Sequence, residues 1–285
     1  MARDGGGTSG ALQARIQRYY GGRGRILEVC GTARPGAFLF VIDAMERGRL
    51  VRTLGTIGRS GALLEQSAMD LERPDRLVFA YERAMLLALA LVEEPRSVLL
   101  LGLGGGAMVR HLAAHVPEAA VTVVDRDPQV IALARRHFHL RRAVTVADAF
   151  ELVADARAAH DVVMVDLYDA AGVASFADSF WEDCRAALRP GGAIAINWAG
   201  SLQGGLPREP IERAMARLPG SFLLIVGGVR PNVVLLGPTA PSFRTPDLAA
   251  RLSHFAARHK LPREDRDILH RCEVRASLSR RPRKR

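Results

Sequence analysis

The run Val162-Val-Met-Val165-Asp166-Leu167-Tyr168-Asp169 ends an unbroken apolar stretch with two aspartates three residues apart and a tyrosine between them. Acids at the mouth of a buried strand are costly unless a cation faces them or they accept a proton. Upstream, Val98-Leu-Leu-Leu-Gly102-Leu103-Gly104-Gly105-Gly106 reads as strand, glycine loop and helix start. Glycines there permit positive φ and a close approach of ligand to backbone. The following helix directs its first amides at any anion or carboxylate placed before it. A plain strand-to-helix turn would use the same residues, so the loop decides nothing by itself. Asp125 ends the next apolar run, VTVVD, nineteen residues beyond Gly106. That is the usual spacing for an acid on ribose hydroxyls, and loop and acid together indicate a nucleoside site. Asp148, in Val146-Ala147-Asp148-Ala149, can accept a hydrogen bond from an exocyclic amine such as adenine offers, or cap the helix that follows. Asp127, before Pro128, reads as a helix N-cap.

Each of these residues sits just after an apolar run, and the runs alternate with helical patterns. Strands are expected over 97–101, 120–124, 143–146, 162–166 and 193–198, with helices over 107–115, 128–138, 150–159, 176–188 and 208–218. Two further strands, 222–226 and 232–236, follow without a helix between them and read as an antiparallel hairpin at an edge. Continuously apolar strands alternating with helices imply an α/β protein: a Rossmann-like, mostly parallel sheet with helices on both faces. Such sheets bind ligands at the carboxyl ends of their strands. Before this domain, short strand-like runs at 26–29, 37–42 and 50–54 suggest a small β-rich unit. The expected division is a flexible lead with a short helix over 1–24, the β-rich unit over 25–78, the nucleoside-binding domain over 79–265 (opening with a helix at 79–92), and a basic tail over 266–285.

Composition narrows the class. The chain has 285 residues, 48% hydrophobic and 25% charged, with a formal net charge of +10. Five of those positive charges lie in the last six residues, RRPRKR, so the remainder is only mildly basic. The tail is read chiefly as a solvated end, with weak contact to nucleic acid as its functional alternative. Cys30, Cys184 and Cys272 are far apart and show no ligand spacing, which argues against a zinc site or a disulfide framework. His137 and His139 are expected at a helix end rather than on a metal, and Tyr19-Tyr20 to pack on the β unit. With no secretory signal or membrane-length apolar run, the expectation is a soluble cytoplasmic protein without a membrane span.

Taken together, VLLLGLGGG, VVDRDPQVIALARRHF, VTVADAFELV, DVVMVDLYD and SFWEDCRAALRPGGAIAINW resemble the spermidine/spermine synthases, the polyamine aminopropyltransferases, which share their sheet with S-adenosylmethionine-dependent methyltransferases. The resemblance covers roughly residues 25–240. It extends upstream to QSAMDLERPDRLVFAYERAM, which resembles the family's approach to a Tyr-His-Glu or Tyr-Gln-Glu motif. It implies transfer of an aminopropyl group from decarboxylated S-adenosylmethionine to a small amine, by a homodimer. By position, Gly102, Gly104, Gly105 and Gly106 would line the methionine-derived part of the donor. Asp125 with Arg126 would hold the ribose, and Asp148 with Ala149 the adenine. Asp166 would take the proton of the attacking amine. Asp169 would hold a substrate ammonium, with Gln66, Tyr81 and Tyr168 on the acceptor side and Glu82 on the donor side.

Three departures bear on the transferred group. The family's GGGDG is here GLGGG, which replaces an acid with Gly105. Its D-S-x-D-P is here Asp166-Leu167-Tyr168-Asp169-Ala170, and the acid of its Tyr-x-Glu motif is here Arg83. A pocket with fewer acids repels the carboxylate of intact S-adenosylmethionine less. Methyl transfer to a small acceptor therefore stands beside aminopropyl transfer, and a non-catalytic nucleoside-binding protein is the third reading. The absence of an N/D-P-P-Y/F/W motif after the fourth strand argues against methylation of base amino groups.

Overall fold

The computed structural model describes residues 5–32, 35–168, 176–200, 205–227, 231–238 and 247–278. Asp169, Ala170 and the RRPRKR tail, all singled out in the sequence, lie outside the described residues.

An N-terminal unit comprises α1 (Gly5–Tyr19) and four antiparallel strands in the order β1-β2-β3-β4: Arg25–Gly31, Phe38–Glu46, Arg49–Ile57 and Leu63–Asp70. Period-two alternation gives β2 two buried faces. Phe40 and Ile42 pack with Ile16 of α1, Ile57 and Leu63, whereas Leu39 and Val41 join the core of the main domain. Gly55 leaves room for the Phe40 ring, since a Cβ there would stand 2.2 Å from its Cζ. Tyr20 packs edge-on against Phe40 and donates its hydroxyl to Glu65 at 2.8 Å, so it belongs to this unit as expected.

The main sheet has the order β12-β10-β11-β9-β8-β5-β6-β7. Its parallel part is β5 (Ser97–Leu101), β6 (Ala120–Asp125), β7 (Thr145–Val146), β8 (His160–Val165) and β9 (Leu188–Ala199). β10 (Phe222–Val226) and β11 (Asn232–Pro238) form the expected antiparallel hairpin. β11 pairs with β9, so the hairpin extends the sheet. Val98 and Leu100 face one hydrophobic core while Leu99 and Leu101 face the other, so helices cover both faces. Strand order reverses between β5 and β8, and the crevice at that switch point lies over the ends of both strands.

Three local expectations give way. The single helix over 79–92 is a pair, α2 (Ala80–Met85) and α3 (Leu87–Ala90), broken at Leu86. Both are buried throughout, so packing from every side sets the path rather than one amphipathic face. β4 was not anticipated, because Glu65, Gln66 and Ser67 interrupt its apolar pattern. Residues 267–275, placed in the basic tail, form a 3-10 turn (Asp267–Arg271) and β12 (Cys272–Arg275), which pairs with β10. Charged residues dominate that stretch because β12 is an edge strand, the position where charge protects unpaired backbone.

Of the remaining helices, α4 (Ala107–His115) and α5 (Pro128–His137) matter most here. Arg52 of β3 holds Asp43 through paired nitrogens at 2.7 and 2.9 Å and donates to the His137 carbonyl at the end of α5. Glu28 of β1 accepts from Arg136 and contacts His137 at 2.7 Å. These contacts pin the N-terminal unit beside the carboxyl ends of the parallel strands. The acid beside His137 is supplied from 109 residues away, by β1.

Candidate active site

The glycine loop after β5 takes the conformations that its composition implies. Gly102, Gly104 and Gly106 have φ of +99°, +53° and +75°. A Cβ on Gly102 would lie 2.2 Å from the backbone oxygen of Asp166, so the loop rests directly on the end of β8. Asp125, at the end of β6, accepts from Leu103 N at 2.9 Å and from Asp127 N at 2.9 Å. Burial pushes its carboxyl up, opposed by these backbone donors. Each of its oxygens keeps acceptor capacity toward the cavity, since an ionised carboxylate offers about four lone-pair sites.

Asp127 caps α5 by accepting from Gln129 N at 2.9 Å. Asp148 caps α6 (Ala149–Asp155) through Phe150 N at 2.9 Å. Its other oxygen lies 3.7 Å from Arg126, half exposed at the cavity rim.

Asp166 begins the turn beyond β8, partly open to the cavity, and its two oxygens are separately held. Oδ1 accepts from Asn197 Nδ2 at 2.9 Å and Oδ2 from the Tyr81 hydroxyl at 3.2 Å. Enclosure by protein lifts this carboxyl to about 6, and the two donors hold it from rising further. Asn197 Nδ2 also reaches the Tyr168 hydroxyl, and Asn232 Nδ2 donates to Asn197 Oδ1 at 3.0 Å, which fixes the orientation of the amide. The Tyr81 ring stacks on Phe79 with centroids 5.8 Å apart. Neither asparagine was anticipated. The signal was present, since Asn197 is the lone polar side chain within Ala193–Trp198.

The cavity over this network measures about 380 Å³. Its wall runs from Asp148, Ala149 and Phe150 past Asp125, Arg126 and Val130 to Gly102–Gly104, Asp166 and Tyr168. The opposite wall comes from the N-terminal unit: Thr32, Ala37, Leu39, Thr56 and Gln66. Gln66 is the residue passed over where β4 slips register against β3 between Leu54 and Gly55, a bulge that turns it into the cavity.

Gly105, Gly106, Tyr81 and Glu82 stand behind this lining. Gly105 could carry no acid without displacement, because a Cβ would meet Phe138 at 2.9 Å and Ser67 Oγ at 3.0 Å. Arg83 turns away to a buried ion pair with Asp265 at 3.2 Å and donates to the Leu77 carbonyl. Glu82 is buried and lifted to about 8, chiefly by burial. A cavity of this size, with positive-φ glycines and acids in order along successive strand ends, suits an adenosine bearing a sulfonium chain toward Asp166.

Comparison with known proteins agrees with this geometry. The sequence profile of the spermine/spermidine synthase domain matches residues 78–200. A polyamine aminopropyltransferase of Chromobacterium violaceum is 38% identical over 140 residues, covering 47% of this chain and 54% of that protein. One from Neisseria meningitidis is 36% identical over 180 residues, covering 60% of this chain and 67% of that protein. The match thus spans between about half and two thirds of these relatives. Among solved structures, a probable spermidine synthase from Corynebacterium glutamicum superposes with a TM-score of 0.62 at 20% identity, over 81% of this chain and 87% of the other. Human methyltransferase-like protein 13, bound to SAH, gives a TM-score of 0.52 at 23% identity, over 65% and 94%. These structural likenesses show the fold alone. Among the described residues, no helix is long and apolar enough to cross a membrane.

Proposed function

The chain belongs to the spermine/spermidine synthase family, and we propose that it transfers an aminopropyl group from decarboxylated S-adenosylmethionine to a small amine. Asp166 carries this reading. It is a carboxylate with an elevated proton affinity, held on both oxygens in the wall of a cavity of about 380 Å³ that Asp125 and Asp148 also line. Asp125 receives the ribose and Asp148 the adenine edge, with Arg126 and Ala149 beside them. The glycine loop seats the sulfur-bearing chain.

The acceptor amine must be neutral to attack, and free amines are protonated near pH 7. Asp166 takes that proton while Tyr81 and Asn197 hold the carboxylate in line. The amine nitrogen bonds to the carbon beside sulfur. The carbon–sulfur bond breaks, and methylthioadenosine leaves with its electron pair. The main contribution of the site is alignment, because the sulfonium already activates that carbon. Tyr168, Gln66 and Asp169 take the remainder of the acceptor.

Methyl transfer is the second reading, favoured by the absence of an acid at Gly105 and at Arg83. Calorimetric titration with decarboxylated S-adenosylmethionine, S-adenosylmethionine and methylthioadenosine separates the two. Tighter binding of the decarboxylated donor, with aminopropyl product formed, supports the proposal; the reverse order with methyl product overturns it. The same reading makes the protein a cytoplasmic homodimer, which sedimentation equilibrium checks. The RRPRKR tail is read chiefly as a solvated end; salt-dependent RNA retention that is lost on its deletion would favour the alternative, a weak nucleic-acid contact.

A further inference from the structure

Two amides stand at the ends of columns that are otherwise apolar. Along one face of β9 the alternate residues Ala193 and Ala195 belong to the main core, and Asn197 takes the next place. Along β11 the alternate residues Leu236 and Val234 belong to the same core, and Asn232 follows them. The strands pair antiparallel, Val234 opposite Asn197 and Asn232 opposite Ala199, so the two asparagines are diagonal neighbours on one face. Asn197 is 3% exposed and Asn232 half-buried, both behind the cavity wall that Asp166 and Tyr168 form. A valine or leucine at either place would continue the core, so packing alone gives no reason for two amides there.

Their hydrogen bonds run in one direction. Asn232 Nδ2 donates to Asn197 Oδ1 at 3.0 Å. Asn197 Nδ2 gives one hydrogen to Asp166 Oδ1 at 2.9 Å and the other to the Tyr168 hydroxyl, so each polar atom of that side chain is engaged. The amide has a second orientation of nearly the same shape, turned half a revolution, with Oδ1 against Asp166. Toward an ionised carboxylate that orientation sets two acceptors face to face, whereas a protonated Asp166 can donate to Oδ1. The inverted amide therefore holds Asp166 in the form that cannot take a proton. Asn232 opposes the inversion, because its N–H would then face the N–H group of Asn197.

We propose that Asn232, which does not touch the cavity, is a positioning residue of the reaction: it selects the orientation of the Asn197 amide in which Asp166 can act as the base. This assignment rests on Asp166 being the base of the proposed transfer. The titratable groups that face Asp166 are Tyr81 and Glu82 of α2 and Tyr168 of its own turn. Burial keeps both phenols protonated, and Glu82, lifted to about 8, is neutral where Asp166 titrates at about 6. The loop from β5 brings only Gly102, Leu103, Gly104, Gly105 and Gly106, and Asp125 lies beyond it on β6. Asn197 and Asn232 therefore act on the titration of Asp166 through hydrogen bonds, without any charge of their own.

The test is Asn232→Leu, close to asparagine in shape and without a donor. One readout is the carbon-13 shift of the Asp166 carboxyl against pH in the ligand-free protein, assigned with Asp166→Asn. The other is the pH profile of kcat with decarboxylated S-adenosylmethionine and whichever small amine the wild type turns over. Both midpoints should rise by about half a unit to one unit. kcat then falls about two- to fivefold near pH 6 and matches wild type at about pH 8.5, with KM for the donor within about twofold. Adding Asn232→Leu to Asn197→Ala should move neither midpoint further. Loss of kcat by the same factor at both pH values, with the carboxyl titrating as in wild type, overturns the assignment. So does a shift that persists undiminished in the Asn197→Ala background. Should Asn232→Leu fail to fold, Asn232→Ala gives the same readouts at this half-buried position. A shifted carboxyl in a protein that makes no aminopropyl product sinks the transfer reading and spares the amide pair; product formation with an unshifted carboxyl does the opposite.

Discussion

Asp166 sets the pH range of the chemistry. Its carboxyl stands at about 6, so it is a base above that value and loses the role as protonation sets in below it. kcat/KM should fall on the acid side with a midpoint near pH 6. Asn197 favours the ionised form by donating to Oδ1, and its removal must raise the affinity for the proton. Asn197→Ala should therefore move the acid limb upward and lower kcat about tenfold at pH 7, while pH-rate profiles of wild type keep the limb near 6. Asp166→Asn should lower kcat by about 10²- to 10⁴-fold and leave the dissociation constant of methylthioadenosine within twofold. A variant that turns over at the wild-type rate would falsify the assignment of the base.

At the scale of elements, Gly102 is the tightest joint. Its φ of +99° and the 2.2 Å approach of a Cβ to Asp166 O make Gly102→Ala a backbone change at two strand ends together. We expect it to cost more than about 2 kcal/mol in urea unfolding and to weaken methylthioadenosine binding at least tenfold. Joints of this kind were legible in the sequence. Positive-φ glycines after an apolar strand, and aspartates closing β6 and β8, are local signals, and each sits at the strand end where they place it. What was not legible came from distant pairings. Asn197 matters because β9 lies beside β8, whereas Gln66, named from the resemblance alone, reaches the cavity wall through a bulge in β4 that no local pattern shows. β12 was hidden because its partner, β10, lies some 46 residues away along the chain. Arg83, read as a lost acid of the site, is in fact spent on Asp265 in the C-terminal segment, a contact no local pattern announces.

Across the whole molecule, that C-terminal segment is part of the fold. Asp265 is 2% exposed, pairs with Arg83, lies 3.8 Å from His111 and is raised to about 6 by burial. Asp265→Ala leaves the Arg83 charge buried and uncompensated, and should cost about 3–5 kcal/mol in denaturant unfolding. The double variant Arg83→Met with Asp265→Leu should regain most of that loss. Truncation after Arg266 removes β12 and the buried Leu278, and should lower Tm by several degrees, whereas truncation after Leu278 should leave it unchanged. The two-faced burial of β2 has a consequence for recombining this chain with its relatives. Leu39 and Val41 are bricks of the main core, Phe40 and Ile42 belong to α1, and Arg52 and Glu28 reach across to α5. A crossover at residues 71–78 looks like a domain boundary in the sequence, yet it would divide one hydrophobic core between two parents. Shuffled libraries should inherit the N-terminal sheet and α5 from the same parent, and chimaeras that mix them should be the ones that fail to express.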